Sequence, residues 1–134
     1  MSTRRLRGRP AARPDRNGKI QALVELVPMG HAVMHPDWAP GVVPMLARIA
    51  REATGTAPAT SACAICDAPW SWKVQARFAL LVEFIKPAPR RAVSALCERC
   101  GARRDVQQRA VEAIAHEFEI EVGSVQHVHE GGRA

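Results

Sequence analysis

The rhythm of apolar and polar positions changes several times along the chain, and each change marks a new element. Ile20, Leu23, Val24 and Val27 fit the i, i+3, i+4, i+7 spacing of a helix, whereas Ile20, Ala22, Val24 and Leu26 alternate as a strand would. The stretch between Gly18 and Pro28 is too short for the pattern to decide. After His31 to Trp38, with Asp37 as the expected N-cap, Val42, Val43, Leu46, Ile49, Ala50 and Ala53 form one apolar stripe, with Arg48, Arg51 and Glu52 facing away. This predicts an amphipathic helix over about 42–53, with Pro40 and Pro44 in or near its first turn and Gly55 as its stop.

Small and polar residues over 54–62 read as a linker. Residues 70–74 and 78–85 are rich in aromatic and β-branched side chains and bounded by Pro69 and Pro87, which predicts a hairpin, with Ala92 to Leu96 as a third short strand. Asp105 followed by Gln108 makes a box-like cap, and Val106, Ala110, Val111, Ile114 and Phe118 give the clearest helical stripe, over 106–118. Ser124 to His129 reads as a last strand or an extended tail, and residues 131–134 as a fraying end. The elements predict an α+β fold: a β-hairpin or short sheet with two amphipathic helices.

Charge divides the chain. Its formal charge is +6, and residues 1–19 hold seven basic side chains, Arg4, Arg5, Arg7 and Arg9 among them, against Asp15 alone. That segment has no apolar periodicity and is expected to be a disordered basic arm. The remainder is balanced, but unevenly. Residues 86–109 carry Lys86, Arg90, Arg91, Arg99, Arg103, Arg104 and Arg109 against Glu98 and Asp105, whereas 110–130 carry five acids and no Lys or Arg. With aromatic residues at only 4%, the core must rest on small aliphatic side chains, which invites a covalent or metal staple. No window approaches the roughly 18 apolar residues of a membrane span. The Arg4-Arg5 pair lacks the uncharged segment that an export signal needs, so a cytoplasmic location and reduced thiols are expected.

The strongest chemical signal is Cys63-Ala-Ile-Cys66, then thirty residues, then Cys97-Glu-Arg-Cys100. A two-residue gap lets one tight turn aim two sulfurs at a single ion, so two such units supply a tetrahedral four-cysteine site. Asp67 after the first unit and Gly101 after the second are types that tolerate positive φ. Arg99, Arg103 and Arg104 stand where they would offset the charge of about −2 left by four thiolates on a divalent ion. Over residues 60–119 the chain resembles the treble-clef and zinc-ribbon classes of zinc module, with Gly101 the more ribbon-like feature and the closely following helix the more treble-clef-like. The resemblance implies one structural Zn²⁺ on Cys63, Cys66, Cys97 and Cys100, in a closed site with no open position for catalysis. Together with composition and periodicity this divides the chain into three segments: the arm 1–19, an N-terminal segment 20–59 with one helix, and a zinc-binding module 60–130. A dithiol redox pair at Cys97 and Cys100 would leave Cys63 and Cys66 unexplained. Cysteines paired in this way also suit an iron–sulfur cluster or two disulfides.

Weaker signals have blander explanations. His31 and His35 have helical metal-ligand spacing but no accompanying acid or cysteine, and Pro36 follows at once. His127 and His129 would share a strand face, and His116 lies on the acidic helix. Trp70 and Trp72 beside a metal knuckle more often build its small core than stack on bases. No catalytic motif is present, so no enzyme activity and no small-molecule substrate are expected. Two binding roles fit. One is nucleic-acid association through Arg4, Arg5, Arg7, Arg9, Arg90, Arg91, Arg103 and Arg104. The other is a protein-interaction adaptor that uses Trp38 and the 42–53 stripe.

Overall fold

Four strands and four helices make a mixed α+β fold in the computed structural model, which describes residues 20–57, 61–86 and 88–128. The ambiguous first segment is a strand, β1 (Ala22–Pro28), because it lies inside the sheet with hydrogen-bonding neighbours on both sides. Then come α1 (Met29–Met34), α2 (Ala39–Ala53), β2 (Ala76–Phe84), β3 (Arg90–Cys97), the single turn α3 (Glu98–Gly101), α4 (Val106–Glu117), a 3-10 turn over Val122–Ser124, and β4 (Val125–Val128). The strand order is β3-β2-β1-β4; β1 runs antiparallel to β2 and parallel to β4, and β2 antiparallel to β3.

The predicted hairpin has a different partner. Residues 78–84 do form a strand, but they pair with β3, the predicted third strand, and not with 70–74. The reason is local. The Ser71 hydroxyl accepts the N–H groups of Lys73 and Val74 at 3.2 Å, and the Ser71 and Val74 backbones hydrogen-bond each other, so this segment closes into a tight turn.

Register places the helices. Phe84 pairs with Arg90, and its ring meets Phe118 edge-on at 4.7 Å between centroids, which brings the C-terminal end of α4 to one face of the sheet. Arg91 and Val93, one residue out of phase, face the other side, where the Arg91 guanidinium lies 4.6 Å from the Trp38 ring and Val93 sits close to Gly41 at the start of α2. With both faces covered, β2 is buried from Ala79 through Phe84, and the core runs from Val24, Leu80 and Val82 to Val42, Leu96, Ala110 and Ile114.

The C-terminal ends of the two long helices are closed by left-handed residues, whereas the expected Asp105 cap of α4 makes no side-chain cap bond and pairs with Arg103 and Arg109 instead. Gly55 takes the left-handed conformation (φ 80°) and Thr56 N–H reaches back to the Arg51 carbonyl, closing α2 where Gly55 predicted. At α4 the same closure is made by Glu119 (φ 58°), with Ile120 N–H on the Ala115 carbonyl, so the helix stops one residue before its predicted end. The start of α2 differs from expectation: Trp38 holds the N-cap position, and Asp37 instead donates its backbone N–H to His35 Nδ1 at 3.0 Å. The buried stripe of α2 is also rotated. Val42, Met45, Ile49 and Glu52 face inward, while Val43 and Ala50 are exposed. No helix among the described residues is long and apolar enough to cross a membrane.

Candidate metal centre

The first cysteine pair sits on a knuckle shaped by its backbone. Cys63 N–H donates to the Ala68 carbonyl at 3.0 Å and Asp67 N–H to the Cys63 carbonyl at 2.9 Å, and Asp67 takes the left-handed φ of 61° expected of it. This knuckle lies along the outer edge of β3: Ala64 N–H donates to the Ala95 carbonyl at 3.0 Å. The second pair comes from the end of β3 and the turn that follows. Cys97 is the last strand residue and the N-cap of α3, and Cys100 lies within α3.

These elements bring the four sulfurs of Cys63, Cys66, Cys97 and Cys100 within 4.8 Å of one another, with Cys63, Cys97 and Cys100 buried and Cys66 exposed. Four thiolates about 2.3 Å from one tetrahedral ion stand about 3.8 Å apart, and Cys66 Sγ lies 3.9 Å from Cys97 Sγ. That separation is far beyond a disulfide bond, and all four cysteines are free. The cluster therefore fits one metal ion. Cys97 N–H points at Cys63 Sγ at 3.4 Å, the type of backbone donor that stabilises a thiolate. Burial, followed by the neighbouring Cys66 and Cys63 thiols, pushes the Cys100 thiol far above its ordinary value. The Cys100 thiol therefore resists ionising on its own, and a divalent ion reverses that balance.

Two supports of the site were not foreseen. Gly101 is helical, and its role is close approach: a Cβ there would fall against the Phe78 ring, well inside van der Waals contact. Glu52, expected on the solvent side of α2, is buried and accepts both the N–H (3.1 Å) and the hydroxyl (2.7 Å) of Ser61, two residues before Cys63. The signal was present, since Met45, Ile49 and Glu52 lie at i, i+4 and i+7 on one helix face.

The predicted basic residues do not form one patch. Arg90 and Cys97 are the two ends of β3, so at about 3.3 Å per residue Arg90 and Arg91 stand roughly 20 Å from the metal end. Arg90 is stacked over Phe84 (4.2 Å) and Phe118 (5.5 Å), and Arg91 donates to the Asp37 carbonyl at 2.9 Å as it stacks on Trp38. At the metal end, Arg103 and Arg104 follow α3, and Arg103 pairs with Asp105 at 2.9 Å. Arg103 and Arg109 together hold the Asp105 carboxyl down to about 2. Arg4, Arg5, Arg7 and Arg9 lie outside the described residues, as does His129. His31 and His35 join no metal-binding group among the described residues. Trp38 is buried beneath Arg91 and offers no contact surface; Trp70 is buried as well, whereas Trp72 is exposed. Compared with protein-family models, curated proteins and solved structures, the chain matches none.

Proposed function

We propose that this is a small, non-enzymatic nucleic-acid-binding protein whose fold is fastened by one zinc ion on Cys63, Cys66, Cys97 and Cys100. The observation that carries the metal assignment is the convergence of four sulfurs within 4.8 Å. An all-thiolate tetrahedral set suits zinc in a structural role, because every coordination position is taken by protein. The binding assignment is supported by charge. Residues 1–19 carry the whole of the formal +6, and Lys73, Arg77, Arg99 and Arg104 add exposed cations around the cysteines. Phosphate neutralisation by such groups gives binding that weakens steeply with salt. The test has two stages. Protein purified without added metal should hold one zinc per chain, with its thiols masked until chelation. Its affinity for a labelled oligonucleotide should then fall with salt, with a slope that becomes shallower on deletion of residues 1–19. An affinity indifferent to salt would overturn the reading.

A second reading, a protein-interaction adaptor, is favoured by one feature. A cleft of about 710 Å³ follows the outer edge of β3, between Met45 and Ile49 of α2 and Arg109 and Glu112 of α4. It predicts self-association that survives deletion of residues 1–19, and a strictly monomeric protein at high concentration would count against it. The dithiol redox reading is not favoured, because Cys97 and Cys100 share one site with Cys63 and Cys66.

A further inference from the structure

We propose that the surface formed by Trp72, Lys73, Arg77 and Arg99 binds single-stranded nucleic acid, with the exposed indole stacked on an unpaired base and the three cations on the flanking phosphates. This deepens the nucleic-acid reading above and rests on it.

The three tryptophans have sharply different environments. Trp38 and Trp70 are each 3% exposed, whereas Trp72 is 73% exposed in a chain with few aromatic rings to spare. A fastened turn presents the ring. Trp70 anchors its start in the core, the Ser71 hydroxyl holds the N–H groups of Lys73 and Val74, and Gln75 Nε2 donates to the Trp72 carbonyl at 3.3 Å. A ring held out by a tied backbone loses less freedom on stacking than one on a loose loop.

Its surroundings complement a polyanion with apolar faces. Trp72 borders a cleft of about 540 Å³ that runs to Cys66 and Cys97, and Lys73, Arg77 and Arg99 line the same cleft. The Lys73 ammonium lies 5.1 Å from the Trp72 ring centroid, so a cation and a π face are presented together. Glu98 is the one acid among the lining residues, 4.0 Å from Arg77 and largely exposed, a pairing that solvent makes weak. Charge alone would not single out this surface, because metal-bound thiolates beneath it attract the same cations. The stacking face does, since it has no part in neutralising the metal centre. A duplex keeps its base faces inside the helix, so the ring can contribute only where bases are unpaired.

The test uses the full-length, metal-loaded protein and fluorescence anisotropy with three labelled probes: oligodeoxythymidine, oligouridine, both about ten nucleotides long to match common site sizes, and a duplex of equal length. Trp72→Ala is expected to weaken single-strand binding roughly 5- to 100-fold, as loss of one stacked base does, and to leave duplex binding unchanged. Trp72→Phe should retain most of the affinity. Loss on either single strand supports the proposal, and the oligomer affected identifies the preferred sugar. Equal single-strand affinity of wild type and Trp72→Ala, or an equal loss on all three probes, overturns it and leaves the broader reading standing. A wild-type protein that binds none of the probes at low salt overturns both. Unchanged metal content and unfolding midpoint in Trp72→Ala verify that the fold is intact.

Discussion

Glu52 carries more of the metal site than its distance from the cysteines suggests. Its carboxylate gathers two hydrogen bonds from Ser61 and so fixes the approach of the chain to Cys63. Glu52→Ala leaves a backbone N–H and a hydroxyl without their acceptor, with an expected cost of about 1.5–3 kcal/mol. The effect should appear as a lower urea midpoint with an unchanged slope, and Glu52→Gln, which keeps an acceptor, should cost less. Gly101→Ala tests the second support. The added methyl meets Phe78 and forces α3 or the ring to move, at about 1–3 kcal/mol. Because α3 carries Cys100, the variant should also lose metal faster to a chelator, and Phe78→Leu in the same chain should restore part of the loss. The cysteine cluster was legible from spacing, since two C-x-x-C units supply four sulfurs for one site. Glu52 was misplaced because a charged residue is assigned to water by default, and the Gly101 contact joins residues brought together only by tertiary structure.

Secondary structure was legible where periodicity and turn chemistry agreed. Both long helices stand close to their predicted bounds, and Gly55 ends α2 as read. The 70–74 segment was misread because its aromatic content resembled a strand, while a single serine hydroxyl, Ser71, organised it as a turn. The strand character of β1 depended on neighbours distant in sequence, which a short window cannot contain. The short helix α3 offers a check through pH, because it carries one of the thiols. The Cys100 thiol is raised in the metal-free protein, so it is protonated at neutral pH and its proton must leave when an ion binds. Metal affinity is therefore expected to fall as pH is lowered, about tenfold per pH unit for each proton displaced. Titration in a weakly buffered indicator would show the released protons, and an affinity independent of pH would mean that the thiols are already ionised.

Across the whole molecule, the sheet separates two basic regions that adjoin in sequence. Ala22 pairs with Phe84 and Phe84 with Arg90, so β1 begins at the end of the sheet away from the cysteines. The local excess of positive charge over 86–109 was legible, but its division between two ends was not, because one strand of eight residues intervenes. The hydrogen bond from Ala64 to Ala95 has a consequence at the same scale. An outermost strand is an open invitation to another copy of itself, and here the cysteine knuckle occupies the Ala95 position of that edge, while the opposite rim is only the four-residue β4. An ion held there would therefore guard against polymerisation as well as fasten the fold. Stripped of metal under reducing conditions, the protein should scatter light in a concentration-dependent way, strand meeting strand along β3, and return to single molecules when zinc is restored. Metal-free protein that stays monodisperse would show that the knuckle keeps its post unaided.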